Sequence, residues 1–271
     1  MKIGIFIPAF DVAKTISKVV NAFCPEVLAQ VDEILVIDNC SQDGTFEVLK
    51  EISRSNTPTG QLLTIIRNEQ NYGYGGSQKI AYQYFLDNGF THFMIIHGDN
   101  QSNADTIAKN FLTELLKEPS LDIVVGSRFM PSSDIRQYSK VRTLGNHFFN
   151  FMTYALTGLH MSDSGAAIIL IRTDVLRSIP FRTLTDMWQF HPQLNILIYR
   201  NKSLRRKEIP LNWEDSEATS SLNLVKYGFD LLTILFRYWV NQTIWRKSAE
   251  HIFQSDAAEF NPVFKKYPKT V

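Results

Sequence analysis

Residues 33–45 read Glu33-Ile34-Leu35-Val36-Ile37-Asp38-Asn39-Cys40-Ser41-Gln42-Asp43-Gly44-Thr45: an apolar run, an abrupt switch to turn-forming residues, and the opening of a helix-period segment. The run is nearly continuous in its apolar character, as in a strand buried on both faces of a parallel sheet. The same unit recurs on either side. Strands are expected at 3–8, 33–38, 62–67, 92–97 and 123–126, with helix-period segments at 15–23, 45–53, 77–88 and 105–117 between them. This βαβαβαβαβ order is the signature of an open α/β sheet, whose ligands collect at the carboxyl ends of the strands. Three of those ends are polar here: Asp38-Asn39, the stretch Arg67-Asn68-Glu69-Gln70-Asn71-Tyr72-Gly73-Tyr74-Gly75-Gly76, and His97-Gly98-Asp99-Asn100-Gln101. Together they outline one pocket.

The second half is organised differently. A helix is expected at 142–159, a strand at 166–171 and a helix at 186–199. A polar, flexible loop follows at 212–221, then an amphipathic segment at 222–245. The tail from 251 has little periodicity and is expected to be loosely held. Residues 1–215 are read as one domain and 216–271 as a helical extension with its tail.

Composition narrows the function classes. The 271 residues are 44% hydrophobic, enough for a full core, and 28 basic against 27 acidic side chains leave a formal net charge of +1. No global field points to nucleic acid, so an anionic ligand must be held by local geometry. Cys24 and Cys40 are too few for a disulfide framework and fit a reducing, cytoplasmic compartment. The N-terminal apolar run is short, reaches Pro8 and reads as a first strand instead of a signal peptide. Segment 222–245 carries Lys226, Asp230 and Arg237, which argue against a membrane span. Its Leu, Ile, Phe, Tyr and Trp residues fit either a peripheral position on the cytoplasmic face of a membrane or packing on the domain or a second subunit.

At the strand ends, Asp38 suits the edge of a nucleobase or the turn itself, and Asp43 and Thr45 suit a helix cap. The glycines of 73–76 open a helix and would admit a phosphate to its amides, or simply form a turn. Asp99 follows the apolar run Phe93-Met94-Ile95-Ile96 and is poorly placed as a helix cap, a role that suits Asn103. A carboxylate there fits a hard divalent cation neutralising a diphosphate.

These segments resemble the family 2 glycosyltransferases of the GT-A fold, and within them the dolichyl- and polyprenyl-phosphate sugar synthases, over residues 1–215. Ile5-Phe6-Ile7-Pro8-Ala9-Phe10 is similar to that family's first strand. Residues 37–45 resemble its Asp-Asp-Gly-Ser-x-Asp-Gly-Thr segment, and 71–76 the signature that follows. Val125-Gly126-Ser127-Arg128-Phe129, Arg142-Thr143-Leu144-Gly145-Asn146, Asp163-Ser164-Gly165-Ala166-Ala167, Phe190-His191-Pro192-Gln193-Leu194 and Glu208-Ile209-Pro210 are similar to later segments. The resemblance implies a mostly parallel, Rossmann-like sheet flanked by helices with a C-terminal helical appendage. It also implies inverting transfer of a sugar from a UDP- or GDP-sugar to a polyprenyl phosphate or a growing cell-surface glycan.

The residues carried over are Pro8, Ala9, Phe10, Asp38, Asn71, Gly75, His97, Gly98, Asp99 and Gln101 for the donor. Asp99, Gln101 and His97 are expected to hold Mn2+ or Mg2+, and Asp99, Arg128, Asp163 and His191 to serve transfer and acceptor orientation. Several positions depart from the family pattern, among them Gln193, where an acidic residue is frequent. His97 stands where an Asp is usual and either ligates a transition metal such as Mn2+, contacts the sugar or diphosphate, or joins a polar loop network. Ala167 replaces a glycine, Ile169 a frequent basic residue, and Glu214-Asp215-Ser216-Glu217-Ala218-Thr219-Ser220-Ser221 an Arg-x-x-Gly-x-Ser-Lys loop. An ionised lipid phosphate would need no general base, whereas a hydroxyl acceptor would need one, with Asp163 and Asp186 the candidates. The rival readings are a catalytically inactive binding subunit and a sugar nucleotidyltransferase. The latter is disfavoured because Pro8-Ala9-Phe10-Asp11-Val12 lacks a glycine-rich loop. A homo-oligomer is compatible with the sequence.

Overall fold

The computed structural model describes residues 1–215, 223–243 and 262–267. The five expected strands form as β1 (Ile3–Ala9), β2 (Glu33–Asp38), β3 (Leu63–Asn68), β4 (His92–Ile95) and β5 (Ile123–Ser127). β4 stops two residues short of the expected end, although the Ile96 N–H still donates to the Phe6 carbonyl at 2.9 Å. The remaining strands are β6 (Ile169–Arg172), β7 (Arg206–Pro210) and β8 (Phe264–Tyr267). Their spatial order is β7-β5-β6-β4-β1-β2-β3-β8. β4, β1, β2 and β3 are mutually parallel, as are β5 and β7, whereas β6 and β8 run antiparallel to their neighbours. This is the mixed, mostly parallel α/β sheet expected. β6 separates β4 from β5, so order along the chain is not order across the sheet.

The helices are α1 (Ile16–Val20), α2 (Pro25–Leu28), α3 (Thr45–Arg54), α4 (Pro58–Leu62), α5 (Gly73–Asp87), α6 (Ala104–Lys117), α7 (Lys140–Thr157), α8 (Val175–Ser178), α9 (Phe190–Arg200) and α10 (Leu224–Thr243). Asn103 caps α6 as expected, its side chain accepting from the Thr106 N–H at 2.8 Å. The short helices α2 and α4 were not anticipated. Both begin with proline at their first position, and the Thr57 hydroxyl accepts from the Gly60 N–H at 3.1 Å, so a Thr-Pro start signal was present.

Alternation along the buried strands divides the core into two layers. Ile5, Ile7, Ile34, Val36 and Met94 face α1, α3 and α6, while Phe6, Leu35, Ile37, Phe93 and Ile95 face α5 and α9. Register then levels the strand ends: Ala9 lies opposite Asp38, and Asp38 opposite Arg67.

Two C-terminal pieces return to this body. Residues 264–267, inside the tail expected to be loosely held, pair with β3 from Ile65↔Tyr267 to Asn68↔Phe264. The four-residue β8 is too short to announce itself by periodicity, and the edge of β3 supplies its hydrogen-bond partners. α10 packs on α7, where Phe149 and Tyr227 meet edge to face at 6.2 Å. Residues 216–222 and 244–245, which hold most of the loop 212–221 and both ends of the segment 222–245, lie outside the described residues, as do 251–261 and 268–271 of the tail. Among the described residues no helix is long and apolar enough to cross a membrane.

Candidate active site

The carboxyl ends of β1, β2 and β4 open into a cleft of about 1020 Å³, closed on the far side by the start of α7, residues 187–188, Trp213 and the start of α10. Pro8, Ala9, Phe10, Asp11, Asn39 and Asn71 form one wall. Their loops are locked by an amide network. Asn39 accepts from Asn68 Nδ2 at 2.8 Å and from the Tyr72 N–H at 3.0 Å, and donates to Asn71 Oδ1 at 2.7 Å. Asp11 and Cys40 hold left-handed backbone conformations, with φ of 51° and 66°. Cys40 sits where the resembled segment has glycine, the residue that reaches this region without strain.

Asp38 is placed otherwise than expected. It is 0% exposed and does not line the cleft; its Oδ1 accepts from the Ser41 N–H at 3.1 Å, and Arg67 Nε lies 3.4 Å from Oδ2. Burial raises its carboxyl above the ordinary value. Asn39, one residue on, presents the polar surface instead.

Gly75 also stands apart from the cleft. Its N–H donates to the Asp186 carbonyl at 2.7 Å, so the amide is not available to a phosphate. A Cβ at Gly75 would lie 2.2 Å from the Thr185 carbonyl oxygen, and one at Gly73 2.3 Å from that of Asp186. These glycines let residues 185–186 seat against the start of α5. Lys79 adds an ion pair to Asp186 at 2.6 Å.

The floor is His97, Gly98, Asp99 and Gln101, all lining the cleft. Burial raises the Asp99 carboxyl, with His97 opposing the shift, and burial lowers the His97 imidazole. His97 Nε2 is 3.2 Å from the Tyr74 hydroxyl, which is 3.1 Å from His191 Nδ1. Burial pushes His191 down to about 3, so it is neutral at physiological pH. Gln101 Nε2 donates to the Glu214 carbonyl at 3.1 Å, and the Glu214 N–H returns a bond to the Gln101 carbonyl at 2.9 Å. Among the described residues no three His, Cys, Asp or Glu side chains gather into a metal cage. A carboxylate and a side-chain amide fit a cation that takes its other ligands from a diphosphate and water, as Mg2+ does.

Arg128 and Asp163 form a closed unit. Arg128 Nε and Nη2 donate to the two carboxylate oxygens at 2.7 and 2.8 Å, and the Arg128 N–H donates to Oδ2 at 3.2 Å. Their side chains are 13% and 1% exposed. Burial would depress the guanidinium, but the Asp163 charge holds it above its ordinary value. Arg128 lines the cleft and packs over Trp213 at 5.6 Å; Asp163 stands behind it, away from the cleft.

Site residues not anticipated are Tyr74, Trp188, Trp213, Tyr138 and Tyr227, which line the cleft. Tyr74 and Trp188 stack at 4.9 Å. Tyr74 lay inside a quoted motif, whereas the others come from distant segments and carry no local signal. Arg142, inside the quoted Arg-x-x-Gly-Asn stretch, also lines the cleft, 3.3 Å from Asp215, beside the Ser139 cap of α7.

The glycosyl transferase family 2 model matches residues 4–179. The UDP-N-acetylglucosamine–dolichyl-phosphate N-acetylglucosaminyltransferase of Methanococcus voltae is 24% identical over 217 residues, 77% of this chain and 84% of that protein. An uncharacterized protein of Methanocaldococcus jannaschii is 23% identical over 232 residues, 85% of this chain and 89% of its own. Among solved structures, glucosyl-3-phosphoglycerate synthase from Mycobacterium tuberculosis with phosphoglyceric acid superposes with a TM-score of 0.61 at 14% identity, covering 89% of this chain and 79% of that one. Its complex with Mn2+, UDP-glucose and phosphoglyceric acid gives 0.59 at 16% identity, covering 90% and 79%. Strand order and family match therefore agree, and the chain belongs to glycosyl transferase family 2.

Proposed function

We propose that the protein is an inverting glycosyltransferase that moves a sugar from a UDP-sugar to a polyprenyl phosphate. The observation that carries this reading is the state of the carboxylates. A hydroxyl acceptor needs a base, yet Asp163 is held by Arg128 and Asp186 by Lys79, and neither lines the cleft. Of the three carboxylates that do, Asp215 faces Arg142, Asp11 accepts from the Gln42 N–H at 2.9 Å, and Asp99 is assigned to the cation in this reading. A phosphate acceptor arrives already ionised. Arg142 and the start of α7, capped by Ser139, supply positive potential for it.

The uridine in this reading rests on the wall from Pro8 to Asp11 with Asn39 and Asn71, and the diphosphate lies over Asp99 and Gln101. A divalent cation there would supply charge neutralisation to the leaving diphosphate. Arg128 adds a fixed positive charge, and Trp188 and Tyr74 offer a flat apolar surface to a sugar ring. The acceptor's isoprenoid tail has an exit beside Val141 and Leu224, which line the cleft and are exposed. They continue into exposed Leu144, Phe148 and Phe151 on α7 and Val225 and Phe229 on α10, a face suited to peripheral contact with a bilayer.

The test is a panel of UDP- and GDP-sugars with polyprenyl phosphate and Mn2+ or Mg2+. Transfer to the lipid phosphate from a UDP-sugar is expected. Asp99→Ala is expected to weaken Mn2+-dependent UDP binding by more than about 100-fold, beyond the usual range for outer-shell changes, with the fold retained. No turnover together with unchanged UDP binding in Asp99→Ala would instead make the chain an inactive binding subunit.

A further inference from the structure

Four side chains stand in single file between the core and the cleft floor. The Tyr82 hydroxyl is 3.3 Å from His191 Nε2, His191 Nδ1 is 3.1 Å from the Tyr74 hydroxyl, and that hydroxyl is 3.2 Å from His97 Nε2. Each neutral imidazole has one N–H and one lone pair, and each hydroxyl has one hydrogen to give. Among the described residues the Tyr74 hydroxyl meets only these two imidazoles, so accepting from both would leave its own hydrogen without a protein acceptor; with that hydrogen given to one of them, the chain has two directions, and choosing one sets every proton in it.

The buried end makes the choice. Tyr82 is fully enclosed, its ring centroid 5.1 Å from that of Phe93 and 5.6 Å from those of Phe181 and Phe190. Among the described residues its hydroxyl has one hydrogen-bond partner, His191 Nε2. If His191 Nε2 carried the hydrogen, the Tyr82 hydroxyl hydrogen would point into aromatic rings with no acceptor, the costly case for a buried donor. If Tyr82 donates, every group is satisfied. His191 Nδ1–H then donates to Tyr74, Tyr74 donates to His97 Nε2, and the His97 hydrogen sits on Nδ1. That nitrogen has no described protein partner, and it is not among the enclosed unpartnered atoms, so it opens to the cleft that His97 lines.

We infer that Tyr82, His191 and Tyr74 fix His97 in its Nδ1–H form, so that His97 offers the cleft a hydrogen-bond donor and serves as a donor-specificity residue instead of a metal ligand. Its one lone pair is taken by Tyr74, which leaves no nitrogen for a cation. The oxygen it would meet, on the diphosphate or the sugar beside Asp99, follows from the proposed function; the tautomer itself does not. Tyr82, His191 and Tyr74 act only through His97 and are positioning residues.

The test is the tautomer of the metal-free protein, read by long-range 15N–1H correlation on 15N-histidine-labelled chain at about pH 8, where an imidazole is neutral. The signal lost in His97→Asn is assigned to His97. It is expected to show a protonated Nδ1 and a bare Nε2; a protonated Nε2 overturns the inference. Tyr82→Phe removes the anchoring O–H and is expected to release His97 to a mixture of tautomers. An unchanged tautomer in that variant overturns the role of the chain.

The second arm titrates Mn2+ alone. His97→Asn, whose amide places an N–H near the Nδ1 position, is expected to keep Mn2+ affinity within about twofold, whereas a loss of more than about 100-fold, beyond the range of outer-shell changes, would mark a lost ligand and overturn the inference. If the wild-type chain binds neither Mn2+ nor UDP, the proposed function fails, and the tautomer still decides this inference.

Discussion

Replacing Asp163 by alanine would leave the Arg128 guanidinium in place without its two hydrogen bonds to the carboxylate, at 2.7 and 2.8 Å, and the Arg128 backbone N–H without its bond at 3.2 Å. Arg128 is 13% exposed, so water cannot take over the lost contacts in full. Removing one partner of a buried pair costs about 3–5 kcal/mol, most of it the penalty of a buried charge without its counterion. At about 2–4 °C per kcal/mol for a chain of this size, Tm should fall by on the order of 10 °C. Differential scanning calorimetry checks this, with Asp134→Ala as control. The Arg136 of that pair is 88% exposed, and its loss should barely move Tm. The double variant Arg128→Met/Asp163→Leu removes both charges and should recover much of the stability of Asp163→Ala while losing donor binding. A Tm change below about 2 °C in Asp163→Ala would refute the reasoning. It would mean that the carboxylate is not committed to Arg128 and would return Asp163 to the role of general base.

Asp38 gives a prediction in pH. Burial raises its folded-state carboxyl, so its contribution to stability is full below the ordinary Asp value and is lost as pH rises through the raised value. Asp38→Asn should therefore remove that part of the decline, and urea unfolding between pH 3 and 7 should show the variant gaining on the wild type as pH rises; a constant difference would contradict this. Gly75→Ala drives a methyl to 2.2 Å from the Thr185 carbonyl oxygen and should destabilise by about 1–3 kcal/mol, read as a lower urea midpoint. Wild-type stability in that variant would mean that residues 185–186 do not seat on α5. Val225 and Phe229 are 84% and 71% exposed, and changing both to Ser should lower binding to anionic lipid vesicles several-fold with Tm unchanged; equal vesicle binding would sink the membrane-facing role of α10.

The parallel core was legible because both faces of β1 to β5 are covered, and only uninterrupted apolar runs such as Ile34 to Ile37 satisfy that requirement. Asp99 was legible for a related reason: a strand end is a local event, readable as an apolar run giving way to polar residues. β8 was not, since a four-residue edge strand takes its hydrogen bonds from β3, 196 positions or more away in the chain (Asn68 to Phe264 at the nearest).

The βα alternation, the strand ends that face the cleft and the motifs that carry the family are local in the chain and were legible there. Which of those residues are available for chemistry was decided by the tertiary structure. Asp38 and Gly75 sit in the right motifs, yet Ser41 and Arg67 enclose the first and the Asp186 carbonyl takes the amide of the second. Asp163 is claimed by Arg128, and His97 is joined through Tyr74 to His191, 94 positions along the chain. The reason is physical: a motif specifies a side chain and its local backbone, but its protonation, its charge partner and its access to solvent belong to neighbours that only folding brings within 3 Å or so.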